Sequence, residues 1–290
     1  MLPTCNRRHF RLKARDRIIE LGPRTLIMGI LNVTPDSFSD GGDFLAVEKA
    51  VARAWQIAEE GADILDIGGE STKPGSQGVT LEEEQRRVLP VLKALAGRYA
   101  IPISIDTSRP EVARAALDRG AVIVNDVTGL QRDPAIAESA SAYKAALILM
   151  HMRGEPATMQ SQPPSSDILG EIEAWAEKAL ATARTAGLSS DGIVLDPGIG
   201  FGKTARQNLE ILRNLERLSV IGYPLMVGTS RKSFIGAILN RGVSERAWGT
   251  AATVAASILF GAHIVRVHDV APMRDVVQIT DAIMAERAGE

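Results

Sequence analysis

The sequence predicts an α/β fold, a single-domain (β/α)8 TIM barrel, on three observations. Eight short apolar runs recur at 26–31, 63–68, 102–106, 121–125, 145–150, 192–196, 224–228 and 262–268, each closed by a polar residue or glycine. Helical patterns fill the intervals between them. No glycine fingerprint follows the first run, as an open dinucleotide-binding sheet would require. Short runs rich in β-branched residues read as strands buried on both faces of a parallel sheet. A chain of 290 residues falls within the range of one such barrel.

Taken in order, the chain begins with a basic stretch that holds Arg7, Arg8, Arg11, Lys13, Arg15 and Arg17. It lacks the apolar core of a signal peptide and reads as a solvated N-terminal segment over 1–22, ahead of a barrel domain over 23–290. After the first strand, 45–60 places Val47, Val51, Ala54 and Ala58 on one helical face, with Gly61 as the stop signal. Thr80 with Glu83, Ser108 with Glu111 and Thr204 with Gln207 each have capping-box spacing at the start of a helix. Ile168, Ile172, Trp175, Ala179 and Ala183 form another apolar stripe, ended by Gly187, and read as core. The Pro- and Ser-rich stretch 160–166 reads as a loop, too short to separate domains.

Composition narrows the function. A hydrophobic content of 45% supports a sizeable core, and a net charge of −2 gives no field to favour nucleic acid or an acidic membrane surface. The lone Cys5 excludes an internal disulfide and suits a reducing, cytoplasmic setting. No apolar run approaches the ~20 residues of a membrane span.

Barrel enzymes carry their chemistry at the C-terminal ends of the strands. Here those ends hold Asn32, 68–72, 106–108, Asn125 with Asp126, His151, Asp196, 230–232, and Arg266 with His268. A polar residue at one strand end is what any turn supplies, but eight together need another explanation. Alternation puts Arg266 and His268 on one side of the last strand and Val265 and Val267 on the other. With the valines against the helices, the guanidinium faces the barrel mouth and requires an anionic partner from protein or ligand. The same parity pairs Val194 with Asp196 and Ser104 with Asp106, whereas His263 reads as a packed strand histidine. Asp196-Pro-Gly-Ile-Gly-Phe-Gly-Lys-Thr204 approaches a P-loop, but Pro197 stands where its first glycine belongs, which excludes that reading. Its glycines are expected to let the backbone pass close to a flat ligand.

Together these segments resemble the dihydropteroate synthase family from Ile27 to about Asp269. The resemblance is carried by Met28-Gly-Ile-Leu-Asn-Val-Thr-Pro-Asp-Ser-Phe-Ser-Asp-Gly-Gly42 and Asp66-Ile-Gly-Gly-Glu-Ser-Thr-Lys-Pro-Gly75. Ser104-Ile-Asp-Thr-Ser108, Asn125-Asp-Val127, Met150-His-Met152, 196–203, Thr229-Ser-Arg-Lys-Ser-Phe-Ile-Gly236 and Arg266-Val-His-Asp269 follow in the family's order. It implies condensation of a dihydropterin CH2-diphosphate with 4-aminobenzoate to give dihydropteroate and diphosphate, by a dissociative substitution. By the same resemblance, Asp106, Asn125, Asp196 and Lys232 hold the pterin. Thr72, Arg266, His268 and the backbone at Val267 cradle the diphosphate. Phe38, Pro74, Phe201, Ser230 and Lys232 form the 4-aminobenzoate pocket. Asp36, on the first loop, is the candidate for stabilising cationic charge once that loop closes, and Asn32 is the metal-linked side chain for Mg2+. Asp36, Asp106, Lys232, Arg266 and His268 are thus the catalytic candidates. No nucleophilic triad is required.

Lys73 departs from the family's usual arginine, which replaces a two-point phosphate grip with a point charge. The family also implies a homodimer, and the chain is expected to be monofunctional. Two rival readings fit less of the sequence. A methyltetrahydrofolate-dependent methyltransferase barrel has no need for Thr72, the Arg231–Lys232 pair or the Arg266/His268 cradle. A non-catalytic pterin-binding barrel has no need for Asn32 and Asp36.

Overall fold

The computed structural model describes residues 7–34, 42–71, 76, 78–155 and 158–288. The hairpin β1 (Phe10–Ala14) and β2 (Arg17–Leu21) precedes an eight-stranded parallel sheet. The sheet's strands are β3 (Leu26–Asn32), β4 (Ile64–Gly68), β5 (Ile103–Asp106), β6 (Ile123–Asp126), β7 (Ala146–Met150), β8 (Ile193–Asp196), β9 (Met226–Val227) and β10 (Ile264–Val267). Their order is β8-β7-β6-β5-β4-β3-β10-β9, and a parallel bridge from Leu195 to Leu225 brings the two ends together. The expected (β/α)8 barrel is therefore what forms, with all eight predicted strands in place.

Helices α1 (Gly42–Glu59), α2 (Leu81–Leu95), α3 (Pro110–Leu117), α4 (Ala135–Ala142), α5 (Ile168–Thr185), α6 (Ala205–Arg213), α7 (Leu215–Ser219), α8 (Ser233–Leu239), α9 (Ala247–Leu259) and α10 (Val270–Ala288) lie between and after the strands. Strand parity divides the core in two. Leu31, Leu65, Ile67, Ile105, Val124, Leu147, Leu149, Leu195, Val265 and Val267 pack outward against the helices. Leu26, Met28, Ile64, Ile123, Ala146, Ile148, Val194, Met226 and Ile264 fill the lower barrel interior. Polar residues are thereby confined to the upper interior, at the strands' C-terminal ends.

The expectation of a solvated basic segment is corrected for residues 7–21. Leu12, Ala14 and Leu21 are buried against the lower interior layer, so the hairpin closes the bottom of the barrel. Its basic side chains reach backbone oxygens and the acids Glu20, Asp191 and Asp281. Arg7 is buried and donates to Gly22 O, Thr25 Oγ1, Ala262 O and Asp281, while Arg15 donates to Leu117 O at the end of α3 and to Ala121 O. Carbonyls at a helix C-terminus lack intrahelical donors, and a cation satisfies them. The alternation Phe10, Leu12, Ala14 was the overlooked signal, overshadowed by the arginines between.

Two of the three caps form as spaced. Thr204 and Gln207 make a complete capping box, and the Thr80 hydroxyl accepts from Glu83 N. The Ser108 box does not form. Pro110 occupies the first turn, the cap residue is Arg109, and Thr107 Oγ1 takes its N–H, which leaves Ser108 to accept from Arg132. Trp175 packs on the core as expected and donates to Gly129 O.

Candidate active site

A cavity of about 470 Å³ opens at the C-terminal ends of the strands. Its lining includes Asn32, Asp106, Asn125, Asp196, Phe201, Ser230, Lys232, Arg266 and His268, so the fold brings nine of the expected site residues together. The side chain of Val267 instead points into the outer core, which restricts it to a backbone contribution. Asp36, Phe38, Thr72, Lys73 and Pro74 lie outside the described residues.

The guanidinium of Arg266 finds its anionic partners within the protein. Nε donates to Asp66 Oδ2 and Nη2 to Asp106 Oδ2, both at 2.7 Å. Asp66 also accepts from Asn125 Nδ2 at 3.0 Å. Parity produces this cluster, because Asp66, Ser104, Asp106, Asn125 and Arg266 all face the barrel interior, and Asp66 is the register partner of Ser104 as Asp106 is of Asn125. Burial pushes the Asp106 carboxyl up, and the Arg266 guanidinium pulls it back down. Asp66 was missed as a site residue. An acid in the middle of an apolar strand was its available signal.

On the opposite wall, the Asp196 carboxylate accepts from Gly198 N at 2.7 Å. Burial raises its pKa to about 6, against the pull of that N–H and of Lys232, Lys203 and Arg266. Lys232 lies with Nζ 3.7 Å from the Phe201 ring centroid, a cation–π contact. Burial and then Arg266 lower it to about 7, opposed by Asp196 and Asp106. Gly200 makes room for this lysine, since a Cβ there would sit 2.8 Å from Lys232 Cδ. Val127, Met150, Met152, Met159 and Phe201 form an apolar cluster beside the polar groups.

The Ser230 hydroxyl accepts from His268 N at 3.2 Å and lies 3.0 Å from His268 Nδ1. The Ser230 hydroxyl thus meets both the backbone and the ring of His268, and holds the imidazole in place at the cavity wall. Burial, with Arg266 and Arg231 nearby, lowers His268 to about 3, so the imidazole is neutral. His263 is buried, accepting from Leu225 N and contacting Arg8 O, the packed histidine anticipated.

The glycine loop 196–204 departs from expectation in its reason for glycine. Gly198 has φ +69, and a Cβ on it would sit 1.9 Å from His151 O. The close approach is to the protein's own carbonyl. Lys203, in the position of a P-loop lysine, is buried and donates to His151 O, Gly198 O and Phe201 O. It ties the loop to the end of β7 and lies away from the cavity wall. Replacing Gly198 by alanine is expected to cost roughly 1–3 kcal/mol of stability, from the left-handed backbone and the clash together. A denaturant melt checks this, and an unchanged midpoint would contradict the account of the loop.

No group of three or more His, Cys, Asp or Glu side chains suited to a metal ion occurs among the described residues. Asn32, half-buried at the cavity wall, supplies an amide oxygen. One such oxygen suits Mg2+, which keeps its waters and takes its other ligands from a substrate's phosphates.

Comparison with known proteins agrees with this geometry. The family model described as "Pterin binding enzyme" matches residues 28–268. A dihydropteroate synthase of Synechocystis sp. is 49% identical over 267 residues, which is 92% of this chain and 92% of that protein. The dihydropteroate synthase of Xanthomonas albilineans with 4-aminobenzoic acid superposes with a TM-score of 0.89 at 41% identity, covering 96% of this chain and 99% of that one. The same organism's enzyme in complex with 7,8-dihydropteroate gives 0.85 at 40% identity, covering 95% and 99%. The chain belongs to the pterin-binding enzyme family and, within it, to the dihydropteroate synthases.

Proposed function

We propose that the chain condenses a (7,8-dihydropterin-6-yl)methyl diphosphate with 4-aminobenzoate, releasing diphosphate and giving 7,8-dihydropteroate for folate biosynthesis. The observation that carries this reading is the division of one cavity into a polar side and an apolar side. Asp106, Asn125, Asp196 and Lys232 offer acceptors and a cation to a pterin edge, beside an aromatic and methionine-lined slot.

In the substitution the C–O bond breaks first, and its electron pair leaves with the diphosphate. The resulting CH2 cation is delocalised into the pterin. The neutral amine of 4-aminobenzoate then attacks that carbon, the C–N bond forms, and the amine loses a proton. What the protein supplies is position and electrostatics. Arg266 and the neutral imidazole of His268, both on the cavity wall, bind the departing diphosphate together with Thr72 and the backbone at Val267. Phe201, Ser230 and Lys232, with Phe38 and Pro74, hold the amine. Asp36 stabilises the cationic carbon. Asn32 would hold Mg2+, which would supply positive charge to the diphosphate. The rival methyltransferase reading leaves the Arg266 and His268 pair without a task.

A homodimer in the cytoplasm completes the proposal. Helix α9 carries no charged residue, its Trp248 is exposed by 87%, and Ile238 and Val243, a few residues earlier in the chain, are exposed as well. No helix among the described residues is long and apolar enough to cross a membrane.

A diphosphate-release assay with both substrates and magnesium decides the matter. Release that accompanies dihydropteroate formation is the expected result, and no release with both substrates present would overturn the proposal.

A further inference from the structure

We propose that Asp66 is a positioning residue for the pterin site: through one oxygen it orients the Asn125 amide and anchors Arg266, without touching a ligand itself. The proposal rests on the functional reading above. Asp66 is fully buried in the middle of β4 and is absent from the cavity wall, whereas Asn125 and Arg266 both line it.

The argument starts from donor and acceptor chemistry. An arginine N–H can only donate, so the Asp66 Oδ2 that receives Arg266 Nε is an acceptor. Asn125 meets the same oxygen at 3.0 Å and must therefore turn its NH2 toward it. The amide carbonyl, Asn125 Oδ1, is left pointing away from Asp66. It is buried and has no hydrogen-bond partner among the described residues. A buried acceptor without a partner is costly, and one that borders a cavity is poised for a ligand's N–H. Without Asp66 nothing holds the amide in this sense, and its flipped form would present NH2 to a ligand edge that also donates. Nor is Asp66 redundant with Asp106, which takes a different nitrogen of Arg266, whereas the Asn125 amide donates to Asp66.

The test uses pteroic acid as the pterin probe and inorganic pyrophosphate as the anion probe, each titrated calorimetrically. Asp66→Asn, nearly isosteric, should weaken pteroic acid at least tenfold and pyrophosphate by a smaller factor. In an Asn125→Ala background the same substitution should cost less than threefold in pteroic acid affinity. A purely structural defect would give equal losses in both backgrounds, and that result, or a loss under twofold in the single variant, overturns the proposal. Should Asp66→Asn not fold, the unmodified protein still decides. Its Asn125 side-chain amide protons should give exchange-protected NMR signals before any pterin is added, and protection that arises only on addition sinks the idea. Failure of the wild-type protein to bind pteroic acid would instead count against the functional reading.

Discussion

Replacing Asp196 by alanine is expected to weaken pteroic acid binding by at least a hundredfold while leaving a folded barrel. Its carboxylate is buried at the cavity wall, and one oxygen is held by Gly198 N. Hydrogen bonds to a charged acceptor contribute about 1.5–3 kcal/mol each. Losing a pair of them to a pterin edge therefore removes roughly two to four orders of magnitude in affinity. The pH dependence gives a second reading. With its pKa raised to about 6 by burial, Asp196 takes up a proton as pH falls through that value, and binding should weaken there in the wild-type protein. That inflection should vanish in the variant. Because the folded pKa is raised above the ordinary 3.8, ionisation of Asp196 weakens the fold as pH climbs from 3.8 toward 6. Alanine therefore removes no stabilising charge at neutral pH. Calorimetry with a parallel thermal melt separates binding from folding, and retained affinity would refute the assignment.

The second large effect belongs to Arg266→Ala, which should damage folding and ligand binding together. The guanidinium is the partner of Asp66 and Asp106, both buried. Removing one member of a buried ion pair typically costs about 3–5 kcal/mol, because the remaining charge is stranded. Burial already raises Asp106, and without Arg266 its folded pKa rises further. A carboxyl raised in the folded state binds its proton more tightly there than in the unfolded chain. Stability is then lost as pH rises from the ordinary 3.8 through the folded value. The gap in melting temperature between variant and wild type should therefore widen from pH 5 to pH 8. A constant gap would mean that Arg266 does not neutralise this pair. Inorganic pyrophosphate should bind the variant at least tenfold more weakly, and an unchanged dissociation constant would remove Arg266 from the diphosphate cradle.

These two residues show how far periodicity reaches. Two-residue alternation alone placed Arg266 and His268 on the interior side of the last strand, and Asp106 and Asp196 on theirs. It could not say which anion Arg266 meets. That depends on β10, β4 and β5 converging across a closed barrel, a relation between segments 160 and 200 residues apart. For the same reason Asp66 passed as one more letter of a motif. Lys203 shows the same limit, since Pro197 already excluded a P-loop while only the fold shows this lysine turned onto three carbonyls of its own chain.

What the sequence determined by itself is the barrel and the end of it that carries the site. Strand length, parity and helix signals are local, and the resemblance of eight ordered segments set their shared chemistry. Only the tertiary structure decided that the basic N-terminal stretch plugs the barrel floor, that Arg266 is held by two acids, and that Asn125 has one orientation. Each is a choice between a charge or amide facing solvent and the same group facing a distant partner. The energy of that choice lies in burial and in hydrogen bonds made across the sheet, which no window along the chain contains.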